Sequence, residues 1–382
     1  MTARVSIFSL SPKAVENLLL HLEVVDLFQI SQLSKRAFAF VKKAVLLTDK
    51  KFRLKVFLSS TSRVSIHRGF FDGVRWKFHG NRDPERCDLD KYEQQVVKID
   101  HGADSTEFDF KNLTFVFHRR FKKTFGCALN SIKDVLKFTQ YFAKLFNAYM
   151  EQLTIENSQL HNLELIQSVP LLRRSQRVVI DNGTVSHEEM RGILEKFECD
   201  TIGIQCNPEP NFHHHYGYDH PIFIGHVQLG NCQWFKGPML LNMDRCQHLK
   251  LTDCCLTDED VNKFLNQWVQ GSSNNEVPRT MFLRKCLDLE SFDVYGGDDL
   301  LPWNLDRITR GLNCTRQPLP SKPSEFSTTV HREMDDQKLN LTVYGEDDTL
   351  VIQSELGPCD ASTCPLKNYM PPHLERLIRI FH

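Results

Sequence analysis

The stretch "HLKLTDCCLTDEDVNKFLNQWVQG", His248 to Gly271, joins two patterns that belong to different secondary structures. Its first five residues alternate polar and apolar, the period-two signature of a strand with one buried face. From Thr257 the period lengthens. Val261, Phe264, Leu265 and Trp268 recur at helical spacing, Thr257 stands where an N-cap belongs, and Gly271 ends the run. Trp268 falls on the apolar stripe and reads as core rather than as a contact residue. Strand, turn and helix make a unit that buries its apolar face against a neighbouring unit of the same kind.

Further strand-like runs stand at "QLTIE" (152–156), "RVVID" (177–181), "TIGIQ" (201–205), "HVQLG" (226–230) and "TMFLR" (280–284). Taken with "HLKLT", the first five in chain order are spaced by about 24 residues, within the range of leucine-rich-type repeats. Between two of them, "SHEEMRGILEKF" (186–197) offers Ser186 and Glu189 as a capping box and sets Met190, Ile193, Leu194 and Phe197 on one face. Residues 130–310 are therefore expected to form an irregular leucine-rich-repeat-like αβ solenoid, introduced by the amphipathic helix "SIKDVLKFTQYFAKLFNAYM". Its concave strand surface is the natural place for a bound partner.

Residues 55–125 hold shorter alternating runs, "RVSIH", "VRWKFH", "QQVVKID" and "LTFVFH", and read as a strand-rich connecting region. Residues 1–48 read as three short helices. Ser11 caps the first, with Pro12 at its first position, and Val15, Leu18, Leu19 and Leu22 form its apolar face. Asp26 and Gln29 are placed as a capping box for the second, and "SKRAFAFVKKAVLL" supplies the third. Toward the other end, "RQPLPSKPSEFS" (316–327) reads as a proline-rich connector. Residues 325–382 then hold a hairpin, "LNLTVYGEDDTLVIQ", and a terminal helix, "PHLERLIRIFH". The fold class expected is α+β.

Composition removes several functions. A formal net charge of −1 gives no global attraction to nucleic acid or to an anionic membrane, and the one basic run, His118–Lys123, reads as a solvated strand end. No apolar run has the length of a membrane span. Lys13 and Glu16 interrupt the N-terminal apolar segment, which does not read as a signal peptide. A cytoplasmic or nuclear protein is expected, with its 12 cysteines reduced and the sequons at Asn112, Asn182, Asn313 and Asn340 unused. Cys254–Cys255 and the Cys359/Cys364 pair lack the spacing of zinc knuckles, and His213, His214, His215 and His220 read as a polar loop. Phosphate-loop, dinucleotide, zincin and serine-hydrolase motifs are missing from the sequence. No catalytic residue, cofactor or metal is expected, and the chain does not read as an enzyme.

The N-terminal helices leave two readings open. Leu10, Val15, Leu19, Leu22, Leu27, Ile30 and Leu33 either pack on the following domain or face a partner. Periodicity alone does not separate them.

"FSLSPKAVENLLLHLEVVDLFQISQLSKRAFAFVKKA", Phe8 to Ala44, resembles an F-box in its early Leu10, the Leu19–Leu22 ending of its first helix, the Asp26–Leu27 step and the "LSKR" at Leu33–Arg36. Where the family has Leu-Pro, Leu10 is followed by Ser11 and then Pro12. "LTDCCLTDEDVNKFLNQWVQGSSN", Leu251 to Asn274, resembles the central motif of the type-two F-box-associated domain, a family much expanded in nematodes. The resemblance implies a substrate-recognition adaptor of an SCF-type ubiquitin ligase. Its F-box would dock on a Skp-type adaptor protein, and through it on a cullin scaffold, while the C-terminal domain would bind a target protein. Carried onto matching positions, Leu10, Pro12, Leu19, Leu22, Leu27, Ile30 and Leu33 are the candidates for the docking face. The alternative is a repeat-type protein-binding scaffold that works without a ligase, its N-terminal helices serving as a cap.

Overall fold

The N-terminal helices begin where short polar side chains satisfy the first free N–H groups. Helix α1 (Pro12–His21) is capped by Ser11, whose Oγ accepts from the Ala14 N–H at 3.3 Å, and Pro12 stands in the first turn. Helix α2 (Val24–Gln32) starts earlier than the sequence suggests. Glu23, not Asp26, is the cap, and Asp26 lies in the first turn, where its carboxylate accepts from the Glu23 N–H at 3.1 Å. The reason is burial: Val24 and Val25 are both in the core, and helix formation from Val24 lets both turn inward. Helix α3 (Lys35–Leu46) follows, with Ser34 Oγ accepting from the Ala37 N–H at 3.0 Å.

This computed structural model describes residues 10–46, 51–68, 72–79, 93–99, 113–120, 123–129, 132–209, 224–243, 246–270, 280–285, 303–319, 322–334, 337–346 and 349–354. The fold is mixed α+β, with a large β component. The chain divides into two compact units, residues 1–183 with 196–199, and residues 184–195 with 200–382. The division falls inside the segment 130–310, which the sequence reads as one region.

The first unit contains α1–α3, the strands β1 (Phe52–Leu58), β2 (Thr61–Arg68), β3 (Asp72–His79), β4 (Glu93–Ile99), β5 (Leu113–Arg120) and β6 (Lys123–Leu129), and helix α4 (Ile132–Phe146). Strand β7 (Tyr149–Glu156), helices α5 (Leu163–Gln167) and α6 (Pro170–Arg173), and strand β8 (Arg177–Val185) complete it. Its strands pair in the order β8-β7-β1-β2-β3-β6-β5-β4. β7 and β8 are parallel, and β7 is also parallel to β1, whereas β1, β2 and β3 form an antiparallel meander. Two of these strands, β1 and β6, lie outside the strand runs read from the sequence, and β1 is central: it joins the meander to the β7–β8 pair.

Aromatic side chains fill this unit. Phe28 of α2 stacks on Phe142 of α4 with centroids 5.2 Å apart and meets Trp76 of β3, Phe138 and Tyr141 edge-on. Trp76 and Phe142 are 4.6 Å apart, and Phe78 and Phe138 5.1 Å. Tyr141 shares its hydroxyl with Ser31 Oγ at 2.7 Å and accepts from Gln32 Nε2. Burial pushes the Tyr141 phenol well above its ordinary pKa, so it stays neutral in this network. The N-terminal helices thus share one core with the strands that follow them. Burying a Phe side chain of this kind stabilises by about 1.5–3 kcal/mol.

The second unit opens with helix α7 (His187–Lys196), followed by strands β9 (Thr201–Pro208) and β10 (His226–Leu229), helix α8 (Gly237–Leu241) and strand β11 (His248–Cys254). Helix α9 (Asp258–Gln270), strand β12 (Thr280–Lys285) and helix α10 (Leu305–Ile308) come next, and strands β13 (Cys314–Leu319), β14 (Lys322–Met334), β15 (Gln337–Glu346) and β16 (Thr349–Ser354) end it. β9, β10, β11 and β12 are parallel neighbours in chain order. An antiparallel set then continues from β12 in the order β16-β15-β14-β13. The proline-rich run at 316–327 is therefore not a connector: β13 and β14 pair across it. Among the described residues β13 pairs with β14 alone, which tolerates Pro318, and the register shifts between Pro318 and Leu319; Pro323 stands near the start of β14, outside the paired positions. The capping pairs Ser186/Glu189 and Thr257/Asp260 both form, the Glu189 N–H donating to Ser186 Oγ at 3.2 Å and the Asp260 N–H to Thr257 Oγ1 at 3.1 Å. The proposed terminal helix at 372–382 lies outside the described residues.

Candidate partner-binding surfaces

Helix geometry sorts the N-terminal candidates. A step of three residues turns a helix by 300°, so Leu27, Ile30 and Leu33 do not share one line but rotate about 120° from first to last. Leu27 accordingly sits in the core at 1% exposure, Ile30 is half-buried, and Leu33, at the α2 C-cap, is 78% exposed. Leu27 thus belongs to the interior of the first unit, while Ile30 and Leu33 keep exposed surface. Leu10 and Leu22 are half-buried. Pro12 and Leu19 lie in α1, with side chains outside the described set. Lys35 and Arg36, directly after Leu33 and Ser34, are exposed. The outward side is thus an apolar point beside two cations, and the inward side is Phe28 in its aromatic cage.

The second surface comes from the parallel strands. Register sets Ile202, Val227, Leu249 and Met281 in one row and Ile204, Leu229, Leu251 and Leu283 in the next, all at 1% exposure or less. The helices between strands bring matching apolar residues: Met190, Ile193 and Leu194 from α7, Met239 and Leu240 from α8, and Val261, Phe264, Leu265 and Trp268 from α9. The alternate strand positions carry polar chemistry. Thr201, His226 and His248 are opposite one another in register, and Gly203, Gln228, Lys250 and Phe282 form the next row. Gln205 is exposed, and Gln228, Lys250, Thr252, Phe282 and Arg284 are half-buried.

Contacts tie this polar face together. The His226 and His248 rings are 4.5 Å apart, and Thr201 Oγ1 lies 3.2 Å from His226 Nδ1. Lys250 Nζ stands 5.4 Å from the centre of the Phe282 ring, a cation–π distance. Arg284 donates to Asp253 at 3.0 Å. Burial, and next the Arg284 charge, lower the pKa of Lys250. Behind the face the thiols are inert: burial pushes Cys246 up to about 12 and Cys232 well above its ordinary range. Among the described residues no group of His, Cys, Asp and Glu is arranged to hold a metal, and no helix is long and apolar enough to cross a membrane. The His213–His215 run, His220, Cys359 and Cys364 lie outside the described residues.

One sequence signal was there to be read and concerns the strand ends. "LGNC" (229–232) closes β10 and "LTDC" (251–254) closes β11. Asn231 and Asp253, at the same offset, both adopt positive φ, of 50° and 56°. Asn and Asp are the non-glycine residues that tolerate this conformation. The next residue, Cys232 or Cys254, turns inward and is fully buried. Successive turns interlock, since the Cys232 N–H donates to the Thr252 carbonyl at 3.2 Å and Thr252 Oγ1 donates to the Leu229 carbonyl at 3.4 Å.

Residues 220–279, which include β10, α8, β11 and α9, match the model of a family described as F-box associated. The match does not extend to the N-terminal helices. The chain has no match among curated proteins or solved structures. What is shown is an F-box-associated region, a class of domain tied to protein recognition. The matched stretch takes in two of the four strands that carry the polar face, β10 and β11, but neither β9 nor β12.

Proposed function

We propose that this chain is the substrate-recognition subunit of an SCF-type ubiquitin ligase, working in the cytoplasm or nucleus. Its N-terminal helices bind a Skp-type adaptor and, through it, a cullin scaffold, and its F-box-associated region binds a target protein. The observation that carries the reading is the family match at residues 220–279. Three helices in the expected order upstream, with Leu33 outward beside Lys35 and Arg36, support it. The docking face is drawn from Leu33, Ile30, Leu22 and Leu10, with Pro12 and Leu19 contributed by α1; Leu27 is left out. The chain makes and breaks no bond. It acts by proximity, holding a target near the ubiquitin donor so that transfer becomes effectively intramolecular. The parallel strand-helix run fits an irregular leucine-rich-repeat-like solenoid, on the support of its chain-order pairing and its matched turns at Asn231 and Asp253.

Removing residues 1–48 is a poor test, because Phe28 belongs to the core of the first unit. The sharper test is capture of a purified Skp-type adaptor by the full chain and by Leu33→Glu, with circular dichroism confirming that both are folded. Binding about tenfold weaker in the variant is expected. Equal capture by both, or by neither, overturns the docking assignment.

Phe28 itself favours a second reading, in which the helices are a cap and the chain is a ligase-independent protein-binding scaffold. That reading expects Leu33→Glu to change nothing measurable and no adaptor to be captured.

A further inference from the structure

We propose that the outward side of the β1–β2–β3 meander binds single-stranded nucleic acid, its cations meeting the phosphates and a neighbouring exposed ring stacking on a base. The site lies in the first unit and is independent both of adaptor docking and of the target-binding region.

Strand register assembles the site. β1 brings Arg53 and Lys55 to this side, β2 brings Arg63 and His67, and β3 brings Arg75, with Lys77 opposite Arg63 in register. No position on this side of the three strands holds Asp or Glu, although the whole chain has a net charge of −1. Net charge averages over the sequence and hides a local excess that only pairing brings together. Like charges on neighbouring strands repel unless anions meet them. One carboxylate does arrive, Glu151 of β7, and it takes Arg53 at 3.4 Å and Lys55 at 3.1 Å. Arg63 and Arg75 are exposed and have no carboxylate partner among the described residues, and the proposal stands on them. Arg63 lies 5.3 Å from the centre of the Phe57 ring, a contact that leaves its charge unneutralised. His67 registers how closely the cations gather. After burial, Lys55 is the next cause of its lowered pKa, with Arg53 and Arg75 acting likewise and Glu151 opposed.

The occupant follows from what a sheet face lacks. Its backbone N–H and C=O groups are spent between strands, so an extended peptide laid on it finds no main-chain partners and adds to a sheet edge instead. A nucleotide chain needs none, because its phosphates and the flat faces of its bases do the binding. Tyr149 of β7 stands opposite Arg53 and is 36% exposed, one of three large apolar side chains open to solvent among the described residues. A ring and a cation are thus one strand spacing apart, about 4.8 Å, where a base and its phosphate can be met together.

A fluorescein-labelled oligouridylate of about 16 nucleotides serves as the probe against the full chain by anisotropy. Binding is expected at low salt, with log K falling against log salt at a slope of about −2 to −3, since each phosphate contact on a single strand contributes about 0.7. Arg63→Gln combined with Arg75→Gln is expected to weaken binding and to make that slope shallower by about 1.4, the share of two contacts. Tyr149→Leu is expected to weaken binding at least about fivefold and to leave the slope as it is, because stacking releases no counterion. Melting curves confirm that the variants fold. No binding at low salt, an unchanged slope in the folded arginine variant, or undiminished binding by Tyr149→Leu would each overturn the proposal. Displacement of the probe by polyglutamate as readily as by unlabelled oligouridylate would overturn it too, by giving the face to acidic protein.

Discussion

The two units are filled with different material, and the difference sets how each holds together. The first is centred on rings from α2, β3 and α4, elements far apart in the chain, which meet around Phe28, Trp76, Phe138 and Phe142. The second has aliphatic rows along its strands, in which each strand position meets the equivalent position of the next strand, and its buried aromatics, Trp234, Phe235, Phe264 and Trp268, come from outside those rows. A cluster of convergent rings is cooperative, since every member touches several others. A stack of rows is closer to a sum of nearest-neighbour terms. The N-terminal helices belong to the first kind, and for that reason they are part of the first unit's core, not an appendage.

Phe28→Ala is the largest break expected. It empties the middle of the cage, and a cost of about 3–5 kcal/mol is the usual result of removing a buried Phe. Urea unfolding followed through tryptophan emission reads it, Trp76 being a direct neighbour. A loss below about 1 kcal/mol would mean that α2 is peripheral after all, and would rescue the simple deletion experiment. The comparison sharpens with pairs of substitutions. Phe28→Ala combined with Phe142→Ala is expected to depart from additivity by about 0.5–3 kcal/mol, because the two rings stack on each other. Leu229→Ala with Leu283→Ala, separated by a whole strand, is expected to add within about 0.5 kcal/mol. Strong coupling in the second pair would contradict the row picture.

A smaller effect is expected where two helices of the second unit approach closely. A Cβ placed on Gly237 of α8 would come within 2.1 Å of Asp260 Oδ1, while Asp260 Oδ2 accepts from the Thr257 N–H at 3.0 Å. Gly237→Ala therefore has to push Asp260 out of its cap, and the loss is expected at about 1–2 kcal/mol, near the worth of a cap. Asp260→Ala should remove most of the penalty of a second change to Gly237→Ala, since the clash and the cap disappear together. Thermal melts of the two single variants and the double variant decide it.

How much of this was legible follows from what local pattern contains. Strands such as β2, β3 and β9–β12 announce themselves because apolar and polar residues alternate along them. Caps at Ser11, Ser186 and Thr257 are local chemistry and were readable as such. β1 has the same alternation in "FRLKVFL", yet its polar positions are Arg53 and Lys55, whose partner Glu151 is supplied from β7, 98 residues beyond Arg53. Nothing near β1 in the sequence shows that. The proline-rich hairpin β13–β14 was hidden for the opposite reason: prolines argue against a strand until the pairing is known to leave Pro318 on a strand with one described neighbour and Pro323 outside the paired positions. Among the N-terminal candidates, Leu27 and Leu33 look equivalent in a string of letters and are separated by the rotation of the helix. The polar face was legible as strand positions but not as a surface, because the register that brings Lys250 beside Phe282 is a property of pairing.

The smallest expected effect tests the electrostatics of the first unit and depends on pH. His67 of β2 has its pKa held below 6.5, first by burial and then by Lys55, with Arg53 and Arg75 acting in the same sense and Glu151 opposing. In the unfolded chain the imidazole returns to about its ordinary value. Above that value both states are neutral and His67 contributes no pH dependence. As the pH falls below 6.5 the unfolded state takes up the proton first, so the native state is progressively disfavoured until the folded group also titrates. His67→Gln, which keeps a polar side chain of similar reach without the titration, is expected to flatten the pH dependence of stability below pH 6.5, by a small amount because the imidazole is half-exposed and its neighbours are screened by solvent. Urea midpoints for the two proteins at a series of pH values test this, and the second unit serves as the reference if unfolding shows two transitions. Parallel pH profiles would mean that neither burial nor the cations around Glu151 hold the imidazole neutral, and that the charged strip between β1, β2 and β7 is more open to solvent than its burial implies.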